Sequence, residues 1–211
     1  MERMSNYPVV LTGLESGVVV VGGGEVAARK VEGLLAAGAR VTVVSPRLAP
    51  ALEQLAAQDR VTVLQRAYQP GDLEGARLAI AATDDPVVNQ AVWQEAQERG
   101  CLVNVVDDPA HCTFHTPAVV RRGPVTVAVG TGGASPALAK HLRREIEAVV
   151  GPEYGQLAAL LAELRPRVQA HIPPEKRESL WGDLIHALLP FLRDGDIARA
   201  RQEAESIIRQ L

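Results

Sequence analysis

Aromatic residues, cysteines and an excess of basic charge are scarce or missing in this chain of 211 residues. Aromatic side chains make up 3% of the sequence, which argues against a surface on which nucleic-acid bases stack. The formal net charge of −3 offers no basic face to a phosphate backbone, so we expect no nucleic-acid partner. The two cysteines, Cys101 and Cys112, are too few for a disulfide framework or a zinc site of four cysteines.

Long apolar runs are missing as well. No apolar stretch reaches the length that crosses a membrane, and the N-terminus has no basic and apolar leader. We therefore expect a cytoplasmic protein with no membrane partner. The hydrophobic share of 47% is nevertheless large enough to bury a substantial core.

Short β-branched runs alternate with helical patterns through the first half of the chain. This alternation is typical of a parallel sheet covered by helices on both faces, and it predicts a Rossmann-like α/β domain. The predicted strands are residues 18–21, 40–44, 61–64, 78–82 and 102–106.

The first predicted strand runs into three glycines and then into an alanine-rich helical pattern. The spacing of Gly22, Gly24 and Ala27 fits the dinucleotide-binding fingerprint, with alanine in the third place. Gly22 permits the sharp turn, Gly24 lets a pyrophosphate approach the backbone, and Ala27 lets the helix pack closely on the strand. The alternative is a glycine-rich turn in another kind of α/β protein.

Ligands of such sheets bind beyond the carboxyl ends of the strands. The segments that the prediction gathers at this edge are the glycine turn and residues 45–47, 83–85 and 107–108. Thr83 and Asp84 are therefore candidates for contacts with a cofactor.

The second strand of a dinucleotide-binding fold usually ends in an acidic residue that binds the ribose hydroxyls. Here Ser45 holds that place, with Arg47 close by. The pattern favours either a 2′-phosphate or contacts from the backbone alone, and the alternative for Arg47 is a solvated surface charge. Spacing alone leaves NAD and NADP open.

Two carboxylates follow the fifth predicted strand. Asp107 is the better candidate for a proton acceptor beside a nicotinamide. Asp108 precedes Pro109, so we expect its side chain to cap the following turn.

His111, Cys112 and His115 lie close together in the sequence and suggest a metal site. The segment runs into a predicted strand, however, where alternate side chains point to opposite faces. We therefore predict no permanent metal, and we expect ordinary packing or, for His115, contact with a substrate.

The pattern changes after this segment. Strand-like runs at 114–120 and 125–129 predict a hairpin, and Ser135 with Pro136 predicts the start of a helix over 137–149. From residue 153 the periodicity is entirely helical, with interruptions expected at Pro166, at 173–174 and at Gly195.

Basic residues cluster near the start of the helix predicted at 137–149. Together with the helix start that follows Gly132 and Gly133, they would suit a substrate with several negative charges. The alternative is a solvated helix face. The basic cluster comprises Arg121, Arg122, Lys140, His141, Arg143 and Arg144.

Four motifs occur in a fixed order: VGGGEVAARK at 21–30, AATDD at 81–85, NVVD at 104–107 and TGGASP at 131–136. In this combination the chain resembles the precorrin-2 dehydrogenase family, the sirohydrochlorin-forming module of sirohaem synthases. The resemblance is close over about the first 150 residues and looser over the helical tail. Thr131 stands where serine is often seen in that family.

The resemblance implies an NAD-dependent oxidation of precorrin-2, a tetrapyrrole, to sirohydrochlorin by a homodimer. It implies that Asp107 is the critical carboxylate. It also implies NAD contacts from the glycine turn and from the loop after the second strand, which favours NAD over NADP. The cofactor-binding residues expected on these grounds are Gly22, Gly23, Gly24, Glu25, Val26, Ser45, Pro46, Arg47, Thr83 and Asp84.

The expected organisation is an NAD-binding domain at 1–112, a small α+β dimerisation segment at 113–150 and a helical domain at 151–211. The chain ends at residue 211, so we expect no uroporphyrinogen methyltransferase domain. Residues expected to bind the substrate are His115, Gly132, Gly133, Ser135, Lys140 and Arg144.

Two alternatives to a simple dehydrogenase stay open. Some members of the family also insert Fe²⁺ to give sirohaem, and no dedicated iron ligands stand out in this sequence. A non-enzymatic NAD-sensing module with a helical partner-binding tail would need the glycine turn, but not Asp107 or the motif at 131–136.

Overall fold

The computed structural model describes residues 6–209. These residues form two compact units, the first ending at Thr116 and the second beginning at Pro117. The first five residues of the predicted domain 1–112 and the last two of the predicted domain 151–211 lie outside the described residues. The predicted boundary after residue 112 lies close to this division and stays a prediction.

The first unit is built on a sheet of five parallel strands in the order β3-β2-β1-β4-β5. All four residues of β1 and of β4 are buried, which is why these strands are continuous apolar runs without alternation. The Rossmann-like fold predicted from the sequence is thereby confirmed. The strands are β1 (Val18–Val21), β2 (Val41–Val44), β3 (Thr62–Leu64), β4 (Leu78–Ala81) and β5 (Leu102–Val105).

Helices cover both faces of this sheet. On one face, Val18 and Val20 pack with Ala27 and Val31 of α1 and with Leu52 of α2. On the other face, the alternate strand residues pack against the apolar side of α3. The helices are α1 (Glu25–Leu35), α2 (Pro50–Ala57) and α3 (Pro86–Arg99).

The N-terminal stretch forms neither strand nor long helix over residues 6–17. Its regular part is a short 3-10 helix, Leu14–Ser16. The Arg77 guanidinium donates a hydrogen bond to the Gly13 carbonyl at 2.9 Å, and the Arg40 amide donates to Leu14 at 3.2 Å. These bonds attach the stretch to the amino ends of β2 and β4.

The second unit contains an antiparallel hairpin and four helices. Its largest apolar core lies among the last three helices, where Leu180, Leu184 and Leu188 repeat at helical spacing. The elements are β6 (Ala118–Arg122), β7 (Val125–Val129), α4 (Pro136–Val149), α5 (Pro152–His171), α6 (Pro174–Arg193) and α7 (Ile197–Arg209).

Two sequence-based expectations about this half of the chain are wrong. The strand predicted from residue 114 begins at Ala118, because the Phe114 carbonyl is bound by the side chain of Asn104 in the first unit. Pro166 lies inside α5 and does not interrupt it, since Leu164 and Val168 on either side are buried in the core and hold the helix. Within residues 6–209 no helix combines the length and the apolar character needed to cross a membrane.

Candidate functional site

Gly22 and Gly23 are enclosed by protein atoms. Gly22 follows β1 with φ at +124°, and a side chain there would collide with the Ala82 carbonyl. A side chain at Gly23 would collide with the Arg47 carbonyl and the Ser45 side chain. These two glycines therefore shape the turn between the carboxyl ends of β1, β2 and β4.

Gly24 is different, because nothing lies within 4 Å of the position that its side chain would take. It is the N-cap of α1 and has no side chain, so it cannot cap the first backbone amides of the helix. The next two residues, Glu25 and Val26, are exposed. Free amides beside open space at the positive end of a helix fit the pyrophosphate of a dinucleotide.

The loop after β2 is held to this turn. The Ala49 amide donates a hydrogen bond to the Gly23 carbonyl at 2.6 Å, and the Ser45 hydroxyl donates to the Arg47 carbonyl at 2.6 Å. Ser45 is 7% exposed, whereas Pro46 and Arg47 are exposed. Ser45 thus shapes the loop from inside, and its direct contact with a cofactor stays a prediction.

The loop after β4 also lies at this edge. The Thr83 hydroxyl lies 2.8 Å from Oδ1 of Asn89 and accepts a hydrogen bond from the Asp85 amide at 3.2 Å, so it fixes the loop. Asp85 caps α3 by accepting from the amides of Val87 at 2.8 Å and Val88 at 3.3 Å. Asp84 is exposed, and its side chain makes no hydrogen bond with any residue between 6 and 209. Its predicted contact with the cofactor is therefore sterically open.

Asp107 lies beyond the carboxyl end of β5, the same edge of the sheet as the glycine turn. Its φ of +61° puts a non-glycine residue in the left-handed region, which costs free energy and is common at functional sites. The side chain is exposed and has no hydrogen-bond partner among the described residues. A carboxylate held in this way is accessible to a ligand at the open edge.

Asp108 does not cap the following turn, contrary to the sequence-based expectation. It precedes a short 3-10 helix, Pro109–His111, but makes no side-chain capping bond. Its carboxylate lies instead 2.6 Å from Nδ1 of His111, whose ring packs edge-on against Trp93 with centroids 4.6 Å apart. The Asp108 carboxylate thus pairs with the His111 ring and not with the backbone amides of the turn.

Two polar side chains that the sequence did not single out hold the chain that follows Asp107. Asn104 is 7% exposed, and its amide donates to the Phe114 carbonyl at 3.0 Å, which holds the segment after β5 in place. Lys30 of α1 donates to the Thr116 hydroxyl at 2.7 Å. Partial burial lowers the pKa of Lys30, while the charge of Asp107 acts in the opposite direction. The lysine follows the fingerprint within its motif, but only the fold brings it to Thr116.

The segment containing His111, Cys112 and His115 is held by packing and hydrogen bonds. The Cys112 thiol donates to the Val105 carbonyl at 3.2 Å, and burial raises its pKa. His115 is exposed. Among residues 6–209 no three histidine, cysteine or acidic side chains group as metal ligands.

In the second unit, the TGGASP motif forms the turn before α4. The Ser135 hydroxyl accepts from the Leu138 amide at 3.1 Å, which confirms the predicted helix start. The Thr131 hydroxyl accepts from the Ser135 amide at 3.2 Å, and Gly132 and Gly133 take positive φ angles between them. The hydroxyls of this motif therefore brace the turn.

Some residues of the predicted basic cluster bind other protein groups, and others have no such partner among the described residues. Arg122 donates to the Val150 and Glu147 carbonyls at 3.0 and 3.2 Å, and Arg143 pairs with Glu147 at 2.6 Å. Lys140 and Arg144 are exposed and form no salt bridge within the described part of the chain. Arg121 is also exposed and forms no salt bridge there, so these three cations are accessible to a negatively charged ligand.

Comparison with protein families identifies the first unit. A model of NAD(P)-binding proteins matches residues 11–118, about half of the chain. The chain belongs to this NAD(P)-binding family. The predicted nicotinamide cofactor is thereby confirmed. Two further models match the second unit: the central region of sirohaem biosynthesis proteins at 122–148 and the dimerisation region of sirohaem synthase at 153–208.

Two curated relatives of this chain are both named siroheme synthase. The chain is 45% identical over 187 residues to a siroheme synthase of Methylobacillus flagellatus, a match over 88% of this chain and 40% of the relative. It is 42% identical over 207 residues to a siroheme synthase of Chromobacterium violaceum, covering 97% of this chain and 44% of the relative. The chain thus spans less than half the length of these relatives.

A solved structure matches over nearly the whole chain. It is SirC, a precorrin-2 dehydrogenase, with a TM-score of 0.77 and 26% sequence identity, covering 95% of this chain and all of that one. The resemblance to the precorrin-2 dehydrogenase and sirohaem synthase family, predicted from four motifs, is confirmed by these matches.

Proposed function

We propose that this protein oxidises precorrin-2 to sirohydrochlorin with NAD as the hydride acceptor. The observation that carries the proposal is the match to a precorrin-2 dehydrogenase over 95% of this chain. The match of both units to family models of NAD(P)-binding and sirohaem biosynthesis proteins supports it.

The residues of the first unit have distinct tasks in this proposal. The amides at the start of α1 bind the pyrophosphate, and Gly24 leaves room for it. The chemistry that NAD supplies when bound is to accept a hydride from the substrate carbon. Asp107 takes the proton that leaves with the hydride, so the two hydrogens removed appear as NADH and a proton.

The second unit supplies groups for the substrate carboxylates. Lys140 and Arg144 carry exposed positive charges, and their neighbours Arg122 and Arg143 are engaged by Glu147 and by backbone carbonyls. We assign Lys140 and Arg144 to charge-assisted hydrogen bonds with carboxylates of precorrin-2. His115, Gly132, Gly133 and Ser135 stay predicted substrate contacts.

The role of Asp107 is tested by an Asp107→Asn variant. Asparagine tolerates the left-handed backbone, so the fold is retained while the proton acceptor is lost. We expect the rate of precorrin-2 oxidation to fall by about a hundredfold or more, with NAD still bound. The rate is followed by the appearance of NADH and sirohydrochlorin absorbance under anaerobic conditions.

Asp108→Asn is the matched control, because it removes the neighbouring carboxylate, which pairs with His111. We expect it to slow the reaction much less than Asp107→Asn does. Normal oxidation by Asp107→Asn would contradict the assigned role. A wild-type protein that binds NAD but leaves precorrin-2 unchanged would instead favour the NAD-sensing module.

The name of the curated relatives favours a second candidate activity, insertion of Fe²⁺ into sirohydrochlorin. Here Fe²⁺ is a substrate. Anaerobic incubation of the protein with sirohydrochlorin and Fe²⁺, compared with a reaction without protein, tests this activity. Faster formation of sirohaem in the presence of protein supports it, and equal rates contradict it.

We also propose that the protein is a homodimer. The match of residues 153–208 to the dimerisation region of sirohaem synthase supports this assembly. Light scattering coupled to size-exclusion chromatography gives the molar mass in solution. A mass of twice the 22.5 kDa chain is the expected result, and a mass of one chain at all concentrations would contradict it.

A further inference from the structure

The end of β2 lacks the group that would select NAD. A dinucleotide-binding fold usually places a carboxylate there, which binds the ribose 2′-hydroxyl and repels a 2′-phosphate. In this chain the position is Ser45, which is 7% exposed and uses its hydroxyl on the Arg47 carbonyl. Neither a negative charge nor a free hydroxyl is therefore provided by this residue.

Arg47 is fixed beside the pyrophosphate turn through its backbone. Its carbonyl accepts the Ser45 hydroxyl and packs against Gly23, and the Ala49 amide bonds to the Gly23 carbonyl at 2.6 Å. The side chain of Arg47 is exposed and has no hydrogen-bond or salt-bridge partner within residues 6–209. The loop that carries Arg47 is therefore anchored to the glycine turn. No described protein group neutralises the positive charge of the Arg47 side chain.

The neighbouring strand adds no uncompensated negative charge. β3 lies beside β2, and the Ser45 amide bonds to the Leu64 carbonyl at its end. Asp72 follows this strand in the chain, but Arg66 binds both of its carboxylate oxygens, at 2.6 and 2.8 Å. The pairing lowers the pKa of Asp72 and leaves its charge compensated.

We propose that the nucleotide site of this protein accepts NADP as well as NAD, and that Arg47 is the residue that binds the 2′-phosphate. Guanidinium groups bind phosphate oxygens through paired, charge-assisted hydrogen bonds, and an exposed arginine after β2 is the usual means of accommodating a 2′-phosphate. The inference rests on the nucleotide-binding fold and does not depend on the identity of the substrate that is oxidised.

Isothermal titration calorimetry with NAD⁺ and NADP⁺ tests this inference without any turnover. For the wild-type protein we expect both nucleotides to bind, with dissociation constants within about tenfold of each other. In Arg47→Gln we expect the ratio of the NADP⁺ to the NAD⁺ dissociation constant to rise by about tenfold, because a charged hydrogen-bond donor is lost. In Arg47→Asp the ratio should rise further, since the new carboxylate repels the phosphate.

Arg40→Gln is the matched control. Arg40 is an exposed arginine at the amino end of β2, so its replacement makes the same change in charge at the opposite edge of the sheet. We expect its ratio of dissociation constants to equal that of the wild type.

Absence of NADP⁺ binding to the wild type, or an unchanged ratio in both Arg47 variants, would overturn the inference. Binding of NADP⁺ that depends on Arg47 supports it even if precorrin-2 is not oxidised, and that combination would contradict the proposed function alone.

Discussion

Helices α1 and α3 begin at the same edge of the sheet, but their first turns are completed differently. At α3, the Asp85 carboxylate accepts two backbone amides of the first turn. At α1, the corresponding residue is Gly24, which has no side chain and faces open space. The start of α1 thus leaves amides available to a ligand, whereas the start of α3 is completed by its own cap.

Polar groups of the protein also hold the C-terminal part of α3. Near its end, Glu95 is 8% exposed and accepts hydrogen bonds from the Gly71 amide at 3.1 Å, from Arg99 at 2.7 Å and from the Tyr68 hydroxyl. Tyr68 and Gly71 tie α3 to the segment between β3 and β4, whereas Arg99 belongs to α3 itself. The protein thus fixes α3 with its own polar groups at both ends, whereas the start of α1 stays open.

The largest effect is expected from Gly22→Ala in the enclosed part of the turn before α1. Alanine would meet the Ala82 carbonyl and would have to adopt a φ of +124°. We expect the free energy of unfolding to fall by about 3 kcal/mol, from overpacking and backbone strain together. Urea denaturation followed by circular dichroism measures this loss.

Gly24→Ala sharpens the contrast, since it adds the same methyl group in open space. The free energy of unfolding should change by only about 0.5 kcal/mol or less, while NAD binds more weakly because the methyl group stands where the pyrophosphate approaches. Equal destabilisation by the two substitutions would break the distinction between the enclosed and the open glycine.

Glu95→Gln weakens the attachment of α3, and we expect it to be less destabilising than Gly22→Ala. Burial alone would raise the pKa of Glu95, but the hydrogen bonds from Tyr68, Gly71 and Arg99 lower it. A carboxyl whose pKa is lower in the folded state stabilises the protein above its ordinary pKa, and this stabilisation disappears as the pH falls through the folded value.

We therefore expect Glu95→Gln to lower the free energy of unfolding by about 2 kcal/mol at neutral pH, with the difference narrowing on acidification below the ordinary carboxyl pKa of about 4.3. Urea denaturation at a series of pH values measures it. Glu98→Gln, at an exposed position of the same helix, is the control and should behave as wild type. A difference that stays constant with pH would argue against this role of the Glu95 charge.

Asp85→Ala removes the cap of α3 and should have a smaller effect than Glu95→Gln. Loss of the bonds to the Val87 and Val88 amides should cost about 1 kcal/mol of unfolding free energy in thermal or urea denaturation. Asp84→Ala, next to it, removes an exposed carboxylate without such bonds and should cost less. Equal stability of the two variants would contradict a stabilising role of the Asp85 cap.

Much of the first unit follows from local sequence patterns. The valine run at β1, the glycine turn and the amphipathic spacing of α1 predict a strand, a turn and a helix, because each is set by neighbouring residues. Pro86 and Gly100 mark the two ends of α3 by the same local rules. The pairing of Asp108 with His111 was not predicted, because a proline that follows an aspartate indicates a turn but not which donor the carboxylate binds.

The fold class, the position of the glycine turn and the edge of the sheet where Asp107 lies follow from the sequence alone, since hydrophobic period, turn residues and the alternation of strands with helices are local patterns. Tertiary packing is what encloses Gly22 and Gly23 while Gly24 is open, turns Ser45 inward, and brings Lys30 to Thr116. These features depend on atoms from strands and loops far apart in sequence, which approach one another only when the sheet is assembled.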